Sequence, residues 1–277
     1  MRSCRDPLTP HRSRASVHPV RSSRWETTLP TAIVTGATKG IGLATARKLA
    51  EEGWWVLANG RDASAGEPLA RELEGAAGGR FVDLDLCAPS APEQLVETAL
   101  AATGQLDLLV NNAGVHQVAS VADTTAELYD HIHAVNLRAA VLLAAASVRA
   151  MRRSGGGVVV NVASEAGIIG FADQLAYNLS KAGLLMLTRS IVADHTADGI
   201  RAVSVCPGTT RTPLVQGIID GSDDPTATEA ALADCRPARR LGRPEEIAEV
   251  IAFAASDRSP FMTGTEIVVD GGNVATN

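Results

Sequence analysis

Cysteine is scarce in this chain: its 277 residues include four, far apart and with no Cys-x-x-Cys pair. That spacing supports neither a disulfide framework nor a zinc site, and it favours reduced thiols in a cytoplasmic protein. An excess of positive charge is also lacking. The net charge of −6 argues against nucleic acid and anionic membranes as the main partners. No apolar run approaches the length that spans a bilayer, so we expect no membrane partner.

Residues 1–30 differ in composition from the rest of the chain. They are rich in Arg, Ser, Pro and His, show no apolar period and carry a net charge of +4, which leaves −10 for the remainder. We interpret them as a disordered basic tail. A mis-annotated start or an Arg- and Ser-rich transit peptide would have the same composition. Residues 31–277 are long enough for one α/β domain, and a chain that is 45% hydrophobic can bury a sizeable core.

From residue 31 onward, short apolar runs alternate with helical patterns. The predicted strands are Ala32–Thr35, Trp55–Ala58, Phe81–Leu84, Leu106–Asn111, Val158–Val162, Ala202–Cys206 and Glu266–Val269. The predicted helices are Leu43–Glu52, Pro68–Glu74, Pro92–Ala102, Thr125–Met151, Ala176–His195 and Pro244–Ala255. This alternation predicts an α/β fold, a seven-stranded, doubly wound parallel sheet with helices on both faces. Residues 207–240 show no clear pattern, and a loop of that length predicts a substrate lid.

A glycine-rich segment follows the first predicted strand and leads directly into a helix. Gly36, Gly40 and Gly42 are spaced as G-x-x-x-G-x-G. Glycines at such a turn allow a tight bend and a close approach of the backbone to a pyrophosphate, which the free N–H groups of the helix N-terminus can bind. The position after the first strand of a βαβ run therefore predicts a dinucleotide site.

Further motifs follow in a characteristic order along the chain. They are Asn111-Asn112-Ala113-Gly114, Asn136, Ser164, Tyr177-Asn178-Leu179-Ser180-Lys181, and Pro207-Gly208 with Thr209 and Thr212. Together with the glycine turn, this set resembles the short-chain dehydrogenase/reductase family over about residues 31–272. The resemblance implies a single Rossmann-type domain, an NAD(P) cofactor and a small-molecule carbonyl or alcohol substrate. It also implies a homotetramer or homodimer, with residues 242–248 and 269–272 packed between subunits.

The resemblance assigns the catalytic roles. Tyr177 and Lys181 are spaced i, i+4, which places them on one face of a helix. A phenol with a pKa near 10 is a poor base at neutral pH, and a nearby ammonium lowers that pKa. In the family, Tyr177 would exchange the hydroxyl proton and Lys181 would hold the nicotinamide ribose. Ser164, which lies 13 residues before Tyr177, would stabilise the substrate oxygen, and Asn136 would bend its helix and hold a water beside Lys181.

The resemblance also indicates the cofactor contacts. They are Gly36, Thr38, Lys39, Gly40, Ile41, Gly42, Arg61, Asp85, Leu86, Asn112, Ala113, Gly114, Tyr177, Lys181, Pro207, Gly208, Thr209 and Thr212. Gly60 stands where the family places an acid that binds the ribose of NAD. The cation Arg61 follows it directly, and the cation Lys39 lies within the glycine turn. We therefore expect NADP in preference to NAD. The alternative is that Arg61 is a surface residue paired with Asp62.

The implied reaction is reversible hydride transfer between the nicotinamide and a ketone or secondary alcohol, without a metal. We expect a ketoreductase of the β-ketoacyl or secondary-metabolite type. The alternatives are an NAD-dependent dehydrogenase of a sugar, steroid or other secondary alcohol, and a non-catalytic nucleotide-binding regulator on the same fold. His116, Glu165 and Gln174 would border the substrate together with the lid.

Overall fold

A computed structural model describes residues 29–277. The predictions for the tail therefore lie outside the described residues, except at their last two positions. The strands are β1 Thr31–Val34, β2 Trp55–Gly60, β3 Gly79–Asp83, β4 Leu108–Asn111, β5 Gly157–Val162, β6 Ile200–Pro207 and β7 Glu266–Val269. The helices are α1 Gly40–Glu51, α2 Ala63–Glu74, α3 Ala91–Thr103, α4 Ala126–His133, α5 Ala139–Arg153, α6 Leu175–His195, α7 Pro213–Asp220, α8 Pro225–Asp234, α9 Pro244–Ala255 and α10 Asn273–Thr276.

All seven strands are parallel and form one sheet in the order β3-β2-β1-β4-β5-β6-β7. The strand order reverses direction between β1 and β4. In a sheet of this kind a crevice opens at that point, outside the carboxyl ends of the strands, and ligands bind there. The predicted doubly wound sheet is confirmed, and the glycine turn after β1 lies at this crevice.

Apolar side chains fill both faces of the sheet, because side chains alternate in direction along each strand. Ala32 and Val34 belong to the core that α1, α2 and α9 cover. Ile33, between them, belongs to the opposite core, under α3, α5 and α6. Every residue of β1, β4 and β5 is buried. Near-continuous Val, Ile and Leu runs in this sequence are therefore explained by burial on both sides.

Several predicted boundaries were wrong: α1 begins at Gly40 instead of Leu43, and β6 at Ile200 instead of Ala202. Helix α2 begins at Ala63 instead of Pro68, because the Asp62 carboxylate accepts a hydrogen bond from the Ala65 backbone and caps the helix earlier. The strand predicted from Leu106 begins at Leu108. The helix predicted over residues 125–151 is interrupted by a π-helical turn, Ala134–Arg138, that separates α4 from α5.

The stretch 207–240 is not an unstructured loop. It contains α7 and α8, each with proline in its first turn and capped by the side chain of the preceding residue, Thr212 or Asp224. Ile219 is the one buried residue of α7, and α8 has none. Helix α8 has no apolar period, which explains why the pattern did not predict it. Helix α7 does carry Leu214, Val215 and Ile218 at helical spacing, but over only eight residues.

The helical stretch Ala126–Arg153 corrects the expectation about apolar length. Its 28 residues, with a mean hydropathy of 1.4 in the most apolar window, are long and apolar enough to cross a membrane by length and composition. More than half of that window is buried inside the fold. Its α5 portion packs on α3 and on β4 and β5, so burial in a protein core accounts for the apolar composition.

Candidate active site

The glycine turn after β1 leaves no room for a side chain at its three glycines. Gly36 and Gly40 have φ of 63° and 55°, the left-handed region that glycine enters without strain. A Cβ on Gly42 would lie 2.3 Å from the Gly36 carbonyl oxygen. Lys39, which precedes α1, makes no side-chain capping bond, so the first N–H groups of the helix have no cap from that side chain. Close backbone and uncapped N–H groups together fit the pyrophosphate of a dinucleotide.

Hydrogen bonds fasten this turn to the end of β4. The Asn112 amide donates to the carbonyl oxygens of Thr35 and Gly36 at 2.8 and 3.2 Å. In return, the Thr35 hydroxyl accepts from the backbone N–H groups of Asn112 and Ala113 at 2.9 and 3.0 Å. A Cβ placed on Gly114 would lie 3.6 Å from Lys181 Nζ. The segment 112–114 therefore links the predicted cofactor turn directly to the predicted catalytic lysine.

The end of β2 is shaped by packing as well as by charge. A Cβ on Gly60 would lie 2.5 Å from the Thr38 methyl group, so an acidic side chain could enter only if Thr38 moved. Lys39 and Arg61 are exposed. Asp62 bonds to Ser64 and the Ala65 backbone, and no ion pair of Arg61 is found among the described residues.

Beyond β3, the Asp85 carboxylate accepts a bond of 2.9 Å from the Cys87 backbone. Leu86 lines a narrow cavity together with Thr35 and Ala113, which brings it to the same crevice as the glycine turn.

Three predicted catalytic residues come together at the end of β5. Ser164 begins a short 3₁₀ turn, and its Oγ accepts a bond of 3.1 Å from the Ala166 backbone. Tyr177 lies in the first turn of α6, and the Ser164 hydroxyl is near enough to its phenol to act on the pKa of that group. Lys181, one turn further along α6, places Nζ 5.6 Å from the centre of the Tyr177 ring. The side chains converge as the sequence predicted, although they come from two separate segments.

The pKa of Tyr177 moves in the opposite direction from the predicted one. Burial raises it to about 12, the Ser164 hydroxyl acts against this rise, and the Glu165 charge adds to it. The Lys181 ammonium donates its bond of 2.9 Å to the Val162 carbonyl. Burial also lowers the pKa of Lys181 to about 8. Desolvation is the largest cause of the Tyr177 shift and Lys181 is not among its causes, which explains why the predicted direction was wrong.

Asn136 lies in the π-helical turn, as expected for a residue that bends its helix. Its Oδ1 accepts from the Val115 N–H at 2.8 Å, and its Nδ2 donates to the Val115 carbonyl at 2.9 Å and to Ser180 Oγ at 3.1 Å. Both amide hydrogens are therefore used within the protein. Only the second lone pair of Oδ1 could bind the predicted water, and that role stays a prediction.

Among the predicted substrate contacts, His116 lies closest to the chemistry. Its ring meets the Tyr177 ring edge-on, with the centroids 4.9 Å apart. Burial lowers the pKa of His116, while a hydrogen bond with Gln174 acts in the other direction. Glu165 is different, because its two carboxylate oxygens are bound by Arg236 and Asn273. It thus presents no uncommitted oxygen, and Arg236 and Asn273 are neighbours that the sequence gave no signal to find.

The start of the predicted lid lies over the glycine turn. Thr212 caps α7, and its methyl group is 3.0 Å from the position that a Cβ on Gly40 would take. Gly208 packs against the Asp270 backbone, where a Cβ would come within 2.7 Å of Cα. Pro207 ends β6 beside them. These contacts place the predicted residues 207–212 at the mouth of the crevice, where cofactor and substrate would both be reached.

Comparison with known proteins agrees with this geometry. A family described as "Enoyl-(Acyl carrier protein) reductase" matches residues 36–273. The cis-4-hydroxycyclohexanecarboxylate dehydrogenase of Sinomonas cyclohexanicum is 39% identical over 88% of this chain and 96% of its own. The NADP-dependent (R)-specific alcohol dehydrogenase of Lentilactobacillus kefiri is 36% identical over the same shares.

A solved structure of a short-chain type dehydrogenase/reductase from Mycobacterium marinum superposes with a TM-score of 0.81 at 32% identity. The superposition covers 88% of this chain and 95% of the other. The fold, the ordered site residues and these similarities lead to one conclusion: the chain belongs to the short-chain dehydrogenase/reductase family and is an oxidoreductase.

Proposed function

We propose that this enzyme interconverts a ketone and a secondary alcohol, with Tyr177 as the acid/base group and NADP(H) as the cofactor. The convergence of Ser164, Tyr177 and Lys181 beside the crevice carries the proposal. When bound, the cofactor supplies hydride exchange at nicotinamide C4. The residues at the glycine turn, Asn112–Gly114 and Lys181 would hold it, as the close backbone and free helix N-terminus at that turn indicate.

In this proposal the protein's own groups handle the proton. The raised pKa keeps Tyr177 protonated at neutral pH, so that it can donate to a carbonyl oxygen during reduction. Ser164 can donate its single hydroxyl proton to the same oxygen, while one lone pair of its Oγ accepts from the Ala166 N–H. Lys181, with a pKa of about 8, is largely charged at neutral pH and favours the phenolate that remains after donation.

Apolar side chains indicate the kind of substrate. Val118, Val121, Leu214 and Ile218 are exposed large hydrophobic residues on the segment after β4 and on α7. We propose that these residues border the substrate, and an apolar border favours a hydrophobic ketone or alcohol over a sugar. The two named dehydrogenase relatives support secondary-alcohol chemistry, and a ketoreductase of the β-ketoacyl type is the narrower form that we propose first.

The preference for NADP is supported by Lys39, Arg61 and the filled space at Gly60. Both cations are exposed near the end of β2, and the Thr38 methyl group takes the space an acid would need. One relative is also named as NADP-dependent. An adenosine 2′-phosphate would gain charge-assisted hydrogen bonds from the two cations.

We further propose a homotetramer or homodimer in the cytoplasm. Val141 and Leu142 on α5, and Leu179 and Met186 on α6, are exposed hydrophobic residues that a subunit contact would bury. Light scattering after size exclusion tests this state, and a monomer at micromolar concentration would contradict it.

A panel of apolar ketones and secondary alcohols, followed by nicotinamide absorbance with NADPH, NADH and their oxidised forms, tests the activity. The panel includes β-ketoacyl thioester analogues beside cyclic and aryl ketones, and we expect turnover with NADPH and at least one of these ketones. Binding of cofactor without turnover of any member would instead favour the non-catalytic regulator and overturn the proposal.

A further inference from the structure

A buried polar cluster lies directly beside the catalytic serine. Its members, which we call the Glu165 cluster, are Glu165, Arg236, Asn273 and Thr209. Arg236 Nη2 donates to Glu165 Oε1 at 3.3 Å and to Thr209 Oγ1 at 2.7 Å. Asn273 Nδ2 donates to Glu165 Oε2 at 3.0 Å. The side chains of Arg236 and Glu165 are only 2% and 5% exposed, so this ion pair is shielded from water.

The cluster joins four separate parts of the chain. Glu165 follows Ser164, Thr209 follows β6, Arg236 follows α8, and Asn273 begins α10. Arg236 Nη1 also donates to the carbonyl of Leu232 in the last turn of α8. Because α7 buries one residue and α8 none, this guanidinium is a main buried attachment of the lid to the body of the protein.

Stability alone is a poor reason for such a pair. Removing two charges from water is costly, and apolar residues of similar volume often replace a buried ion pair without loss of stability. Burial raises the pKa of Glu165, which shows the cost on one side. On the other side, Arg236 Nε is buried and has no hydrogen-bond partner among the described residues. The arrangement therefore suggests a role in positioning.

With Tyr177 as the acid/base group proposed above, on which this inference rests, we propose that Glu165 and Arg236 are positioning residues that couple the seating of the lid to the catalytic pair. The guanidinium holds the lid and the carboxylate holds the segment that carries Ser164. When the lid is seated, the two charges neutralise each other next to Tyr177. When Arg236 withdraws with the lid, an uncompensated carboxylate remains beside the phenol.

The charges around this pair give the coupling a sign. The Glu165 carboxylate raises the pKa of Tyr177, and Arg236 is the cation that pairs with this carboxylate and lowers the pKa of Glu165. The Asp270 carboxylate also faces Glu165, but it accepts bonds from the backbone of Gly272 and Val274. Asn273 is neutral. Removing either member of the pair should therefore shift the titration of Tyr177, in opposite directions for the two members.

The test uses Glu165→Gln, Arg236→Met and the double variant in the full-length protein. Arg239→Met is the matched control, because Arg239 pairs with Asp234 at 3.6 Å in the same segment, yet both side chains are well exposed. Two readouts are needed: the pH dependence of kcat for alcohol oxidation, and hydrogen exchange of residues 213–236 without substrate. The second readout requires no turnover, so it remains available for a variant with low activity.

We expect the alkaline rise of kcat to move to lower pH in Glu165→Gln and to higher pH in Arg236→Met, each by roughly half a pH unit or more. The double variant should return close to the wild-type position. Lid amides should exchange at least about tenfold faster in both single variants and remain unchanged in Arg239→Met.

Shifts in the same direction, or unchanged lid exchange in Arg236→Met, would overturn the coupling. Where Arg236→Met does not fold, Glu165→Gln and the double variant decide the same question. Failure of the proposed function itself would be seen differently, as full turnover in Tyr177→Phe.

Discussion

The two ends of the crevice are built in different ways. At the cofactor end, the glycine turn is held by backbone geometry, by Asn112 and by the Thr35 hydroxyl, and even one methyl group on Gly42 would meet the backbone. At the substrate end, α7 and α8 bury a single residue between them and depend on polar contacts such as that of Arg236. The difference teaches that close packing fixes the glycine turn, whereas α7 and α8 are attached by few buried side chains and should have lower local stability.

The largest effect should come from adding a methyl group at the tight end. In Gly42→Ala, the new Cβ would lie 2.3 Å from the Gly36 carbonyl oxygen and 2.4 Å from the Asn112 amide. Overpacking of this kind costs about 1–3 kcal/mol, so we expect a lower Tm and cofactor affinity reduced roughly ten- to a hundredfold. Calorimetry with NADPH measures both changes.

The matched change at the loose end is Gly217→Ala in α7, where a Cβ would meet nothing within 4 Å. It should leave cofactor affinity unchanged and raise stability slightly, since alanine is favoured over glycine by about 0.5–1 kcal/mol within a helix. Equal losses of affinity in the two variants would remove the contrast between the two ends.

The next effect concerns the buried charge between the two ends. The pKa of Lys181 falls from 10.5 to about 8 on folding, so below pH 8 the folded protein carries an ammonium that burial disfavours. Lys181→Met should therefore gain stability on the order of 1–3 kcal/mol at pH 7, less the lost bond to Val162. The gain should shrink as the pH rises from 8 to 10.5, because wild-type Lys181 is then neutral when folded.

Urea unfolding at several pH values measures this trend, and the lost bond adds only a constant offset. Lys48→Met is the control, because Lys48 pairs with Glu249 and Glu52 at the surface and its pKa is raised. If the difference in unfolding free energy between Lys181→Met and the wild type does not change from pH 8 to 10.5, Lys181 is not desolvated as described.

Cofactor choice should respond more modestly. Each charge-assisted hydrogen bond to a 2′-phosphate is worth about 1.5–3 kcal/mol, so Arg61→Ala combined with Lys39→Ala should lower the NADPH preference in kcat/KM about tenfold or more. Changing Gly60 to Asp is a poor route to the same end, because Thr38 fills that space. Arg258→Ala, near the end of α9, serves as a charge control. An unchanged ratio of NADPH to NADH rates would contradict the assignment of the two cations.

The smallest effect needs no substitution. Amides of residues 213–236 should exchange faster than those of β4 and β5 in the free enzyme, and should become protected when cofactor and substrate bind. The reason is that α7 buries only Ile219 and α8 buries no residue, so few contacts oppose local opening of these helices. Exchange in α8 as slow as in β5 before any ligand is added would show that the cover is firmly attached.

How much the sequence could predict follows the same division. The sheet and the glycine turn were predictable, because alternation, turn chemistry and i, i+4 spacing are local properties. The starts of α2 and α7 could have been predicted from their capping residues, Asp62 and Thr212. Helix α8 could not be predicted from an apolar period, because it has none. The ion pair between Glu165 and Arg236 could not be predicted, because 71 positions separate the two residues and the fold alone brings them together.

Tyr177, which lies between the cofactor end and the substrate end of the crevice, is proposed to exchange a proton with the substrate oxygen. Tyr177→Phe removes the hydroxyl and keeps the ring that packs against His116. We expect NADPH affinity within about twofold of the wild type and a loss of turnover of roughly a hundredfold or more. The measurement is the single-turnover rate of NADPH oxidation with the best ketone of the panel, at saturating cofactor. A rate within a few-fold of the wild type would contradict the account.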